Sequence, residues 1–445
     1  MTFSVYSKNL NIFNAEQFKE SASETANSCL YFTVGKVEPW ANDSAPLQAN
    51  SSVTSLYEIY RNMIGAKRIT GNDMYHCIRR IDWTQGQIYD RYDHCTCSLI
   101  LFNPNTDFYV VTPNWDVYKC ISNNNGAPSQ NVPIQKITTG TVQEADGYIW
   151  KYMYSVTPAE QLRFTTEAYI PVKTLANDDG SLQWDVQDNA IDGGLEYIQV
   201  VNGGQDYKDN SKIWITITGD GAGANAFAQT NAMTNTISAI VIDRPGGGYT
   251  YANVQIYDDS TMGIGASLRA IISPPGGHGS DPLRELGGSN LMLNIRLRYD
   301  ENGKLPVTND FRQISIIKDP HIFGTESPVT NTAFSQLMTV TLSAVGSQNY
   351  VEDEIVYQGV PPNTSFTGTV VEWNGSNQLK LANTLGLIQA ASLTGLVSGA
   401  TGTVSVPITY PEVRPYSGQL LYIDNIKPVT RASDQIEDFK IVLKF

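Results

Sequence analysis

From Gly418 onward the chain reads as a strand, a polar loop carrying Arg431 and Asp434-Gln435, and a final strand in which polar and apolar positions alternate. Phe439, Ile441, Leu443 and Phe445 alternate with Lys440, Val442 and Lys444, so one face is wholly apolar and the other largely charged. Four large apolar side chains are worth about 1.5 to 3 kcal/mol each when buried. The terminal segment is therefore expected to be sewn into a sheet rather than left to fray. Elsewhere the pattern is alternation or short apolar bursts between Gly, Pro and Asn clusters. Helical spacing is confined to a few stretches. Ser55 with Glu58 makes a capping-box pattern ahead of Leu56, Ile59, Tyr60 and Met63, with Gly65 as the stop. Thr157-Pro158-Ala159-Glu160 combines a cap with Pro at the first helical position, and Asn14 is read as the cap of a third helix running to about Ala22. The expected fold class is mainly β, α+β with few short helices, in a multidomain sandwich- or barrel-like arrangement.

Two stretches have their own organisation. Between Tyr197 and Pro274, the residues Ile198, Val200, Tyr207, Gly221, Gly223 and Ala224 recur as Ile240, Ile242, Tyr249, Gly263, Gly265 and Ala266, each pair 42 positions apart. In each copy an alternating strand leads into a glycine turn, a tyrosine covers the turn, a second strand follows and a Gly-x-Gly-Ala bend opens a third. Two copies are too few for a propeller or solenoid and suit one paired β module. From about Thr339 to Pro407, the runs EIVYQG, GTVVEW, QLKLAN and SLTGLVSGATGTVSV suit a small barrel or sandwich.

Composition narrows the function. The 445 residues suggest roughly three domains. Only 17% of them are charged, against about 25% in an average soluble protein, while tyrosine (24) and glycine (36) are plentiful. A net charge of −14 repels a polyphosphate, so nucleic acid is not an expected partner. The basic residues Lys67-Arg68 and Arg79-Arg80 are pairs rather than patches. No signal-peptide pattern opens the chain and no run of apolar residues is long enough to span a bilayer, so a soluble protein of the cytoplasm is expected, with no membrane partner. Five cysteines, Cys29, Cys77, Cys95, Cys97 and Cys120, argue against a disulfide framework.

Candidate chemistry is sparse. His76-Cys77, His94-Cys95, Cys97 and Cys120 form the best metal candidate, because Cys95 and Cys97 would share one face of a strand. They lack paired Cys-x-x-Cys turns, and small buried thiols are the preferred reading, so no metal or other cofactor is expected. GDGAGA (219–224) and PGGGY (245–249) lack the Lys-Ser/Thr of a phosphate loop and read as turns. Asp178-Asp179, Asp258-Asp259 and Glu352-Asp353-Glu354 read as solvated turns rather than a glycosidase pair. No nucleophile elbow or metal-hydrolase motif is present, and no catalytic residue is assigned. His278, within PPGGHGSDP, sits in a shaped connector without an assigned role. Trp40, Trp83 and Trp150 read as core or turn-anchoring aromatics.

Five segments in order carry a resemblance: Phe32–Trp40 (FTVGKVEPW), Arg79–Trp83 (RRIDW), Asp146–Tyr154 (DGYIWKYMY), Phe311–Ile317 (FRQISII) and Gly418–Phe445. The chain resembles the baseplate wedge subunit family, called gene product eight, of T-even-type contractile-tailed bacteriophages. The likeness covers most of 1–190, then about 290–335 and 411–445. It implies a discontinuous scaffold of 1–194, 288–337 and 411–445, with the tandem-repeat module 195–287 and the barrel or sandwich 338–410 inserted in its loops. It also implies a non-enzymatic structural protein, a homodimer among other wedge subunits, assembled in the host cytoplasm and resident in the virion tail. A second hypothesis from the residues is a receptor- or glycan-binding tail module that uses the turns of Tyr207 and Tyr249 as its surface.

Overall fold

The computed structural model describes residues 7–24, 28–96, 106–207, 213–256, 263–307, 309–432 and 434–445. The fold is mainly β, with several sheets and a closed six-stranded barrel, as the alternation predicts. Among the described residues no helix is long and apolar enough to cross a membrane. The chain divides into two compact units, one of 1–16, 75–292 and 442–445, the other of 17–74 and 293–441.

The first unit is built on a four-stranded antiparallel sheet of Tyr109–Val111, Asp116–Asn123, Tyr148–Ser155 and Val142–Gln143, in that spatial order. Its two central strands are buried on both faces, so their sequences carry near-continuous large residues rather than alternation. Trp150 stacks on Tyr148 at 5.5 Å and meets Tyr89 edge-on, and this aromatic group anchors a core that includes Val110, Val117, Ile170 and Val186. The helix Pro158–Phe164 has the expected capping box of Thr157 and Glu160, with Pro158 in its first turn.

The tandem repeat folds by exchange. The strand Tyr197–Gln205 of the first copy pairs with Ile264–Ile271 of the second, while Thr236–Gly247 of the second pairs with Ala222–Asn231 of the first. The registers correspond residue for residue over 222–229 and 264–271: Leu268 faces Val200 as Ala226 faces Ile242, and both pairings carry a bulge at the equivalent step, the first copy's strand having a second at Gln229/Thr230. The remaining strands, Ile213–Gly219 and Ala252–Ile256, pair with each other antiparallel, as strands on a pseudo-twofold axis must. The tyrosines cross over in the same way. A Cβ on Gly263 would lie 2.3 Å from the Tyr207 ring, and one on Gly221 2.4 Å from the Tyr249 ring, so only glycine admits the rings there.

The second unit contains a five-stranded antiparallel sheet in the order Ala333–Ser335, Met63–Ile69, Leu30–Gly35, Phe311–Lys318 and Gln419–Val429. Beside it the strands Met338–Ser343, Gln378–Gly386, Asn363–Trp373, Ile355–Val360, Ser392–Gly395 and Thr401–Thr409 close into the barrel, filled by Val340, Val356, Phe366, Val370, Leu379, Leu381 and Leu393. In the C-terminal strand Phe439 packs against Phe32 and Phe311 with centroids at 4.9 and 5.9 Å, as its alternation requires. The same face continues to Glu437, which is buried and bonded to the Arg431 guanidinium at 2.8 Å. Arg431 also donates to the carbonyls of Pro306 and Tyr299, so the polar loop is fastened from beneath.

Three boundaries differ from the sequence reading. The helix containing Asn14 runs Lys8–Ser21, with the preceding turn closed by Leu10 N–H on the Ser7 carbonyl, so Asn14 is interior rather than a cap. The helix Val53–Asn62 is capped by Ser52, whose hydroxyl accepts from Ser55 N–H, because the chain already turns helical at Val53, two residues before the Ser55–Glu58 pattern. It ends at Asn62, and Gly65 lies in the following strand.

Candidate interaction groove

Each residue set singled out in the sequence has a definite place. His76 is buried with Nδ1 2.9 Å from the Gly288 carbonyl, which it can meet only as a donor. Cys77 and Cys120 are buried, and burial pushes the Cys77 thiol up to about 12 and Cys120 well above its ordinary value, so neither presents a thiolate. Cys97 lies outside the described residues. The structure instead draws Asp93 to His94 and Cys95, with their ligand atoms within 4.8 Å of one another. Asp93 is already clamped by both Arg269 amino groups at 2.5 and 2.6 Å and accepts from Cys95 N–H, which makes it an anchor for Arg269. Burial lowers the His94 pKa, and its Nδ1 accepts from Ile272 N–H.

Carboxylates show a similar split. Asp178 and Asp179 are exposed and bond to Gly180 and Ser181 N–H groups. Asp258 and Asp259 lie outside the described residues. Glu354 departs from the expected solvated turn, being only 4% exposed. Burial would raise its pKa, but N–H groups of Ser398, Val351 and Val397 and the Ser398 hydroxyl together hold it below the usual carboxylate range. It ties two barrel turns together.

His278 belongs to a buried ionic network that sequence reasoning missed. Lys119 donates to Glu285 at 2.6 Å, lies 3.2 Å from His278 Nδ1 and sits 4.3 Å over the Tyr92 ring. Glu285 also accepts from Gly279 N–H at 2.7 Å. Burial would raise the Glu285 pKa, yet Lys119 and His278 hold it down to about 2. Burial and then Lys119 lower the His278 pKa. Every group points at a partner within the protein, so this is a brace for the PPGGHGSDP connector.

The arrangement with open chemistry lies in the second unit. Strand Leu30–Gly35 ends in a bulge where a Cβ on Gly35 would lie 2.5 Å from the Asn62 carbonyl, and Lys36 N–H bonds that same carbonyl at 2.9 Å. The chain is thereby steered past the end of helix Val53–Asn62 to Trp40, whose indole N–H donates to the Ile426 carbonyl at 3.2 Å. Two adjoining hollows of about 210 and 360 Å³ result, sharing walls of Trp40, Glu58 and Gln313. One is completed by Leu47, Gln48, Asn50, Ile423 and Asn425, the other by Lys36, Glu38, Arg61, Asn62, Asn383 and Leu385. Gln313 donates to Asn425 at 2.7 Å, but its Oε1 is buried without a partner among the described residues, as is Arg61 Nε. Trp150 is core and Trp83 is half-buried with its N–H on Ser129, but Trp40 lines a groove. Tyr207 and Tyr249 are 3% and 5% exposed, which removes them as a receptor-binding surface.

Fold and groove define a β-rich multi-module protein with an open polar groove in its second unit. No family model matches the chain. It is similar to the baseplate wedge protein gp8 of Enterobacteria phage T4, 23% identical over 228 residues, covering 43% of this chain and 66% of that protein. The chain thus spans just under two thirds of the relative it matches. The likeness supports a distant baseplate-wedge-like relationship.

Proposed function

We propose that this chain is a structural subunit of a bacteriophage contractile-tail baseplate wedge, acting through interfaces with other wedge subunits and pairing with a second copy of itself. The distant likeness to the T4 wedge protein carries the reading. Low charge, tyrosine-rich β structure and buried carboxylates fastened by internal donors agree with it. In this reading 1–194, 288–337 and 411–445 form the wedge scaffold, and 195–287 and 338–410 are loop insertions that decorate it. The protein is assembled in the host cytoplasm and resides in the virion tail.

Mass spectrometry of purified tails, with immunogold labelling of intact particles, tests this directly. The chain is expected in stoichiometric amount at the baseplate. Its absence from tails, or its presence only on fibres, overturns the proposal. Light scattering of the isolated protein is expected to give the mass of two chains.

A further inference from the structure

The strand Gln419–Val429 is the last of its sheet and, among the described residues, pairs on one side only, with Phe311–Lys318. All of its residues are half-buried or exposed, whereas all of Phe311–Lys318 but the last is buried. A strand with one unpaired side presents a row of main-chain N–H and C=O groups, and proteins ordinarily blunt such an edge by keeping it short or by placing lysine or proline on it. The other sheet edges outside the tandem repeat follow that rule. Ala333–Ser335, Tyr109–Val111, Val142–Gln143 and Tyr169–Pro171 are two or three residues long, and Ile436–Lys444 carries Lys440 and Lys444. Gln419–Val429 runs for 11 residues and meets Lys427 and Pro428 only near its end, just after the Ile426 carbonyl that Trp40 takes. The stretch 419–425 (QLLYIDN) has neither device, and Leu421 is 41% exposed within it.

An open ladder is completed by the main chain of an extended polypeptide, which repeats N–H and C=O at the same spacing. Three observations select a second copy of the same strand. An antiparallel pair of identical strands is twofold-symmetric by construction, so the outward groups of each copy find their complements in the other and the interface closes on itself. The chain already uses this solution internally, where Ile213–Gly219 pairs with Ala252–Ile256 across the pseudo-twofold. Charge favours it as well: in a chain of net charge −14, the stretch 419–425 has a single charged residue, Asp424, which accepts from the Tyr422 hydroxyl at 3.2 Å. Area is the third. The half-exposed rings of Tyr57 and Tyr416 pack edge-on at 4.8 Å beside the strand's start, where Tyr60 bonds the Ser417 and Gly418 carbonyls, and they add apolar surface to what the ladder alone would bury. We propose that the edge 419–425 is a self-pairing surface, on which the same strand of a second copy docks antiparallel across a twofold near Tyr422 and joins the two five-stranded sheets into one. The inference rests on the proposed pairing of two copies and says where that pairing occurs.

The test uses the full-length protein. In a background of Cys95→Ser and Cys97→Ser, single cysteines are introduced as Leu420→Cys, Leu421→Cys, Tyr422→Cys, Ile423→Cys and Asp424→Cys. Disulfide formation between copies under mild oxidation is expected to peak at one or two neighbouring positions, because facing residues of an antiparallel pair have Cα atoms about 4.5 to 5.5 Å apart, within disulfide reach. Trp214→Cys, exposed in the other unit, is expected not to crosslink. Leu421→Lys, which puts a charge on the edge, is expected to weaken self-association about a hundredfold in light scattering across a dilution series. In hydrogen exchange the outward amides of 419–425 are expected to be protected in the native protein and to lose that protection in Leu421→Lys, while Phe311–Lys318 keeps its own and so verifies that the sheet is intact. A protein with the mass of two chains that shows no crosslink across 420–424, associates undiminished with Leu421→Lys, or crosslinks as well through Trp214→Cys overturns the inference and leaves the pairing itself standing. The mass of one chain at every concentration overturns both.

Discussion

Lys119, Glu285 and His278 in the first unit and Arg61 and Gln313 in the second are all polar groups held out of water, yet they are treated in opposite ways. The first set is closed. The ammonium, carboxylate and imidazole lie within 3.8 Å of one another, and connector N–H groups take up the remaining oxygen. The second set is open: among the described residues the buried Gln313 Oε1 and Arg61 Nε have no hydrogen-bond partner. A closed polar set gives a unique packing, whereas an unmet buried group is a standing cost to the fold. The same contrast separates Glu354, saturated by barrel N–H groups, from Gln313.

The contrast is broken most severely by opening the closed set. Lys119→Met leaves Glu285 buried without its main countercharge, and the first unit is expected to lose about 3 to 5 kcal/mol, seen as a fall of roughly 10 °C in its calorimetric transition. Replacing both partners, Lys119→Met with Glu285→Leu, is expected to recover most of that loss, because two apolar groups of similar size owe no desolvation. A double variant as unstable as the single one sinks the idea that the charges only brace the connector.

Acid probes the same pair without mutation. Glu285 lies near 2 when folded, against an ordinary value of 4.5, so the unfolded chain binds its proton first as pH falls. Its contribution is complete above about pH 4.5 and is lost as pH drops toward 2, by about 3 kcal/mol in all. Denaturation midpoints measured across that range are expected to fall less steeply for Glu285→Gln than for the native chain. Identical slopes refute the assignment.

A smaller effect tests the exchanged repeat. Gly221→Ala and Gly263→Ala each drive a methyl into the tyrosine ring of the other copy, and each is expected to cost about 1 to 3 kcal/mol. The two losses are expected to be equal within error, since the sites correspond under the pseudo-twofold. Markedly unequal losses in paired melting curves would count against that symmetry.

What the chain discloses on its face follows range of interaction. The Thr157–Glu160 cap and the alternation of Phe439 and Ile441 are local and were legible. The 42-residue period was legible as well, because equal turns need equal residues, but the exchange of strands between copies depends on pairing partners that no local pattern names. Ser52 was missed because Ser55 and Glu58 gave an equally good capping pattern one turn later. No motif singles out Lys119 or Lys151, and only the folded sheet brings Lys119 to Glu285, 166 positions away, or hides Lys151 beside Glu196. The groove was invisible for the same reason. Trp40, Glu58, Gln313 and Asn425 come from four separate segments, and although each lies in a stretch with a recognisable pattern, no local pattern says that the four meet.

The least disruptive change is also the sharpest test of the comparison. Gln313→Met removes the unmet Oε1 and, with it, the bond from Nε2 to Asn425. Loss of that bond costs about 1 kcal/mol, while deleting a buried acceptor that had no donor returns a similar amount. Stability measured by denaturant is therefore expected to move by less than about 1 kcal/mol, in contrast to the collapse expected for Lys119→Met. If Gln313→Met instead destabilises the second unit as strongly as Lys119→Met destabilises the first, then Gln313 Oε1 is a structural group with a partner inside the fold. The distinction between closed and open buried chemistry would then fail at the residue on which it most depends.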